Sequence, residues 1–268
     1  MELRLGDVET TALIPLSIKA NETLRSDPRV RDDKAVEIIK ALGVDTRKYD
    51  KFMSHEGVIA RTVMLDRQLK DIIRKEPESV IVNLGSGFDD RFTRVDNGSI
   101  LWFDVDLPDM IAARKKAFPE RERVTMVSGD ILDDSWCSPV RNALKGNRTS
   151  LVFIAEGLFM YLSMEEIKKL LIILKENFKD GGLLIAEQNN KLMCKNEKLH
   201  DTVKTTSAHF RSGTDSAAEI AALTEGIKLV EEHSFNEEMS KHSIRGKIFA
   251  ALFPNMNDRW ATFKWDQK

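Results

Sequence analysis

Short apolar runs recur along this chain, spaced widely enough for a helix between most neighbours. Runs at 80–84, 100–104, 124–128, 151–155, 183–187, 228–235 and 247–253 predict seven strands separated by helical or loop segments. Upstream, from about Thr10 to Lys75, the period changes: Ile38, Ile39 and Leu42, then Ile59, Val63, Leu69, Ile72 and Ile73, recur at helical spacing, broken at Pro28 and between Gly43 and Asp50. A further helix is signed at both ends. Ser163-Met164-Glu165-Glu166 is a capping box, Ile167, Leu170, Leu171, Leu174 and Phe178 follow on one face, and Gly181-Gly182 stops it. Residues 216–225 read as helical, and the last two strands, joined by a turn over 235–243, read as a reversed hairpin at the sheet edge. The polar stretch 189–215 is too long for an ordinary connection and reads as a lid over a site.

The first strand ends in the most informative turn. Val80-Ile81-Val82-Asn83-Leu84 runs into Gly85-Ser86-Gly87-Phe88-Asp89-Asp90, a buried strand turning toward a helix. Glycine at 85 and 87 permits backbone angles that other residues avoid and leaves no Cβ between the main chain and a ligand. Gly-x-Gly alone is common, and this turn lacks the third glycine of the dinucleotide fingerprint. A pyrophosphate needs an uncrowded positive helix end, whereas the carboxylate of Asp89 suits a ligand with an ammonium group. The second strand adds to this. Ser99 to Phe103 opens into Asp104-Val105-Asp106, placing acids about 20 residues after the glycines, where nucleotide-binding βαβ units meet ribose hydroxyls. Alternation puts both on one face; Asp106 is favoured.

Composition narrows the classes. The 268 residues carry 41 basic and 43 acidic side chains, intermixed, for a formal charge of −2, so no field draws a polyanion and nucleic acid is not expected as a partner. No apolar run is long enough for a membrane helix, and Glu2, Asp7 and Glu9 do not suit a secretory signal, so a cytosolic protein is expected. Cys137 and Cys194 have no metal-ligand spacing and read as packing residues; Asp133-Asp134 reads as the start of a short helix, and no metal site is expected.

Six separated stretches, in order, resemble the leucine carboxyl methyltransferase family. They are Thr11-Ala12 with Leu16 and Lys19, Ala60-Arg61, Val82 to Asp89, Phe103 to Pro108, Gly129-Asp130, and Ala155 to Leu162. The family includes the eukaryotic enzyme that methylates the terminal leucine carboxylate of a protein phosphatase, and bacterial small-molecule O-methyltransferases of the tetracenomycin polyketide type. The resemblance is to the second branch. It implies an α/β, class I methyltransferase fold: a Rossmann-like, mostly parallel seven-stranded sheet with an antiparallel C-terminal hairpin. Residues 1–75 would form an N-terminal helical extension and 76–268 an S-adenosylmethionine-binding methyltransferase domain, with 189–215 a lid-like insertion.

By the same resemblance Gly85 and Gly87 would lie under the methionyl part of S-adenosylmethionine, with Asp89 beside its ammonium. Asp106 would bind the ribose, Asp130 and Ile131 would flank the adenine, and Glu156 would approach the amino group. Arg61 would hold the cofactor carboxylate with its planar fork. Lys19 and Tyr161 would be catalytic, holding the acceptor oxygens. Taken singly, a strand-end carboxylate is as well explained as a helix cap. Together, acids from successive βα turns converge on the edge of a parallel sheet that binds ligands. The polyketide branch commonly has arginine where Lys19 stands, which puts a forked carboxylate anchor in doubt. No motif after residue 190 matches the phosphatase-methylating enzyme, so a small molecule rather than a protein C-terminus is the expected substrate. A carboxylate acceptor needs no base, whereas a hydroxyl would need one, with Glu187, His200 and His209 as candidates. Rival readings are a nicotinamide-dependent oxidoreductase, disfavoured by the missing third glycine and the reversed hairpin, and a protein that binds S-adenosylmethionine without catalysis.

Overall fold

A computed structural model of the chain describes residues 11–144, 150–195 and 209–266. Residues 1–10 of the expected helical extension, and 196–208 of the expected lid with His200, lie outside them. In chain order the helices before the sheet are α1 (Leu13–Thr23), α2 (Asp33–Leu42) and α3 (Phe52–Lys75). Then follow β1 (Val80–Leu84), α4 (Arg91–Val95), β2 (Leu101–Asp106), α5 (Pro108–Ala117), β3 (Val124–Ser128), α6 (Cys137–Ala143) and β4 (Leu151–Ala155). The chain continues with α7 (Met164–Asn177), β5 (Gly181–Gln188), α8 (Lys191–Lys195), α9 (Ala218–Ala221), β6 (Lys228–Ser234), α10 (Asn236–His242), α11 (Ile244–Leu252) and β7 (Arg259–Asp266).

The strands form one sheet in the order β3-β2-β1-β4-β5-β7-β6, parallel except for β7, which pairs antiparallel with both β5 and β6. The sequence of β1 shows why it lies at the centre. Val80, Val82 and Leu84 point into one core while Ile81 points into the other, so the strand is buried on both faces and must be apolar throughout. On one face α6 and α7 pack through Val140, Ile167, Leu170 and Leu174, with Trp136 just ahead of α6. On the other, α3 packs through Leu65, Leu69 and Ile73, each worth roughly 1.5–3 kcal/mol of transfer free energy. Helices α1 and α2 then close over the ends of the strands, with Leu16, Ala20, Ile38 and Ile39 packed on Phe88 and Met110. The capping box before α7 forms as expected, Ser163 accepting from the Glu166 backbone and Glu166 from the Ser163 backbone.

One expected strand is absent. The apolar run 247–253 lies mostly in helix α11, which is capped by Ser243 accepting from the Gly246 backbone, and the seventh strand lies downstream at 259–266. The run lacks alternation, which leaves a short apolar segment undecided between helix and strand. Packing decided it: Phe249 turns inward while Ile244, Ile248 and Leu252 face out. The reversed pair β6 and β7 is present, but α10 and α11 connect it, not a turn over 235–243.

Candidate active site

At the end of β1 the chain reverses with Gly85 and Gly87 at φ +65° and +50°, a region that side-chain-bearing residues rarely adopt. The turn is pinned to the next strand, the Gly85 amide donating to Val105 O at 2.9 Å and the Gly87 amide to Asp106 Oδ2 at 2.8 Å. A carboxylate has about four acceptor sites, so Asp106 can hold the turn and still accept from a ligand. Asp104 does something different. It is fully buried between Arg114 and the Trp102 indole, and takes no part in the cavity wall.

A cavity of about 500 Å³ opens over the strand ends, within the range of small-molecule sites. Lys19, Arg61, Gly85, Gly87, Asp89, Asp106, Asp130, Ile131, Glu156 and Tyr161 all line it. Around the glycine turn lies a buried ionic network. Arg91 bridges Asp66, Asp89 and Glu156 at 2.5–2.7 Å; Arg94 joins Asp32, Asp66 and Asp89; Arg61 joins Glu156 and Glu187. Lys19 belongs to this network, only 2% exposed, 2.5 Å from Asp89 and 3.5 Å from Asp32, which sets it at the glycine-turn end of the cavity. Burial alone would raise the Asp89 carboxyl, but Arg91, Lys19 and Arg94 outweigh it and hold the group well below the usual carboxylate range. Burial acts likewise on Glu156, and Arg91 and Arg61 outweigh it.

Past β4 the wall changes character. Met160, Met193, Phe210, Phe249 and Met256 make it apolar, Tyr161 packs on Phe210 with ring centroids 6.0 Å apart, and its polar groups include Glu187, Asn189, Asn257 and Asp258. Glu187 accepts from Arg61 and, at 2.6 Å, from the Gly157 amide; burial raises its carboxyl. His209 is exposed and lies off the wall. Sequence reasoning missed Asp258 because the strand that follows it was placed too early. The signal was present, since Trp260-Ala261-Thr262-Phe263-Lys264-Trp265 is rich in aromatic and β-branched residues.

A family model, leucine carboxyl methyltransferase, matches residues 12–174. The chain belongs to that family. This leucine carboxyl methyltransferase family member is 24% identical over 234 residues to the tetracenomycin polyketide synthesis O-methyltransferase TcmP of Streptomyces glaucescens, covering 87% of this chain and 84% of that one. Its fold is similar to that of a DUF574 family protein from Streptomyces avermitilis, with TM-score 0.58, 13% identity, and 95% and 97% of the two chains covered. It is also similar to magnesium protoporphyrin IX methyltransferase from Synechocystis PCC 6803, solved with bound S-adenosylhomocysteine, with TM-score 0.51, 12% identity, and 88% and 100% covered. The sheet is that of class I methyltransferases, and the protein is an S-adenosylmethionine-dependent methyltransferase.

The residues present fit that cofactor. Two buried polar atoms on the cavity wall have no hydrogen-bond partner, Ser86 Oγ and Arg61 Nε; the latter lies 2.9 Å from Glu156 Oε1 but off line, so that contact is ionic only. Among the described residues the network sets four cations, Lys19, Arg61, Arg91 and Arg94, against five carboxylates, Asp32, Asp66, Asp89, Glu156 and Glu187. The excess is negative. It suits a ligand whose sulfonium and ammonium outnumber its carboxylate.

Proposed function

We propose that this methyltransferase acts on an oxygen, hydroxyl or carboxylate, of a small apolar molecule. Bound S-adenosylmethionine supplies an already activated methyl group, so the protein's task is to align the acceptor and exclude water, where orientation is worth about 7–11 kcal/mol. In this reading Gly85, Gly87, Asp89, Asp106, Asp130, Ile131, Glu156 and Arg61 hold the cofactor across the ends of β1 to β4. Lys19, paired with Asp89, steadies that end, and Tyr161 stands on the acceptor side. The observation that carries the reading is the cavity itself: one continuous space runs from the glycine turn and Asp106 to an apolar wall of methionine and phenylalanine beyond β4.

Isothermal calorimetry with S-adenosylhomocysteine and NADH, followed by transfer of a labelled methyl group into small-molecule and protein fractions, tests it. Binding of S-adenosylhomocysteine alone, with label in alkali-stable ethers or alkali-labile esters of small molecules, is the expected outcome. Label confined to protein, or to nitrogen, would refute it.

A further inference from the structure

We propose that the acceptor end of the cavity is built for a neutral hydroxyl group and that Asp258 takes its proton. The inference rests on the methyltransferase reading above and narrows its acceptor.

Asp258 immediately precedes β7, whose first residue, Arg259, pairs with Gln188 at the end of β5. It therefore stands beside Glu187 and Asn189, on the far side of β4 from Asp106 and the glycine turn, where an acceptor would meet a methyl group held over β1 to β4. Its carboxylate is held by neutral donors. The Asn190 amide donates to Oδ1 at 3.0 Å, and the Asn189 side chain, its nitrogen set toward the acid by the surrounding hydrogen bonds, lies 3.2 and 3.3 Å from the two oxygens.

No cation lies within ion-pair distance of Asp258 among the described residues. Two arginines face it from farther off, Arg61 from α3 and Arg259 from its own strand, and both are engaged. Arg61 is paired with Glu156 and Glu187, and Arg259 with Glu232 at 3.1 Å and with the Thr214 carbonyl. An incoming carboxylate would thus meet two acids, Glu187 and Asp258, in an apolar setting without an uncommitted positive group. A neutral hydroxyl meets a fixed acceptor instead. Burial and the neighbouring Glu187 push the Asp258 carboxyl up to about 7, which suits an exchanger of protons near neutrality.

The step balances. The acceptor oxygen forms the new bond to the methyl carbon as the carbon–sulfur bond breaks with its electron pair leaving on sulfur. The hydroxyl proton passes to a carboxylate oxygen of Asp258 and from there to water.

A pair of probes of one shape and opposite character tests this: 4-phenylphenol, neutral below about pH 9, and 4-phenylbenzoate, ionised above about pH 5. Affinity of S-adenosylhomocysteine is measured first in the wild type and in Asp258→Asn, and is expected to be the same within about threefold. Its absence in both would overturn the methyltransferase reading and this inference with it. Each probe is then titrated into the S-adenosylhomocysteine-loaded protein at pH 6 and pH 8. The phenol should bind up to about tenfold tighter at pH 8, where Asp258 is ionised, and the benzoate up to about tenfold weaker. Both slopes should vanish in Asp258→Asn. Phenol affinity that ignores pH, slopes that survive the substitution, benzoate tighter than phenol at pH 8, or binding of neither probe would overturn the proposal.

Discussion

His55 lies outside the chemistry, yet it reports how the helices over the cavity are held. Its ring nitrogens lie 2.7 Å from Asp50 and 2.9 Å from Glu22, and although burial would lower its pKa these two acids outweigh it and raise it to about 9. A histidine with a folded-state pKa above its ordinary 6.5 contributes stability that is full below pH 6.5 and lost as pH rises through 9. The difference in unfolding free energy between wild type and His55→Gln should therefore be about 2–3 kcal/mol at pH 6 and close to nothing above about pH 9.5, as read by urea titration. Asp258 has the opposite sense. Its raised pKa disfavours the ionised fold, so its own contribution to stability falls as pH rises from about 4 to 7. Asp258→Asn should remove that loss and raise stability at pH 8 by about 1–2 kcal/mol, with little gain at pH 4.

Among the elements, α7 and α11 show what a sequence discloses and what it withholds. Helix α7 was legible because its limits are written in local chemistry, Ser163 and Glu166 at its start and, a few residues past its C-cap Phe178, the glycines that open β5. Ser163→Ala should cost about 1 kcal/mol in thermal or urea unfolding. Helix α11 was not legible, because its apolar run became a helix through contacts with distant residues. Gly246 shows how tight the packing is there: a Cβ would collide with the Met239 carbonyl oxygen. Gly246→Ala should force α10 and α11 apart at a cost of about 1–3 kcal/mol and disturb the acceptor wall through Phe249, leaving S-adenosylhomocysteine affinity unchanged in calorimetry. The glycine turn and Asp106 were legible for the same local reason as α7. Arg91 and Arg94 were not, since their partners lie as far away as Asp32 and Glu156 and only the folded chain brings them together.

For the molecule as a whole, cofactor binding and folding draw on the same groups. S-adenosylhomocysteine at about 100 times its Kd should stabilise the wild type by about 2.7 kcal/mol, seen as a rise in Tm, and NADH at the same concentration should not. Asp106→Ala should abolish the rise, because it removes both the support of the Gly87 amide and an acceptor on the cavity wall. The ionic network reaches across two parts of the chain: Lys19 and Asp32 come from the leading helices and the residue that caps the second of them, and Asp89, Arg91 and Arg94 from the first strand-to-helix turn. Exchanging the leading helices for those of a relative, an obvious engineering route to a new acceptor, would orphan charges in a dry interior unless the donor supplied the same lysine and aspartate. Chimeras of this enzyme are thus confined to caps whose electrostatic seam already matches, and their Tm would show a mismatch before any change in acceptor could be seen.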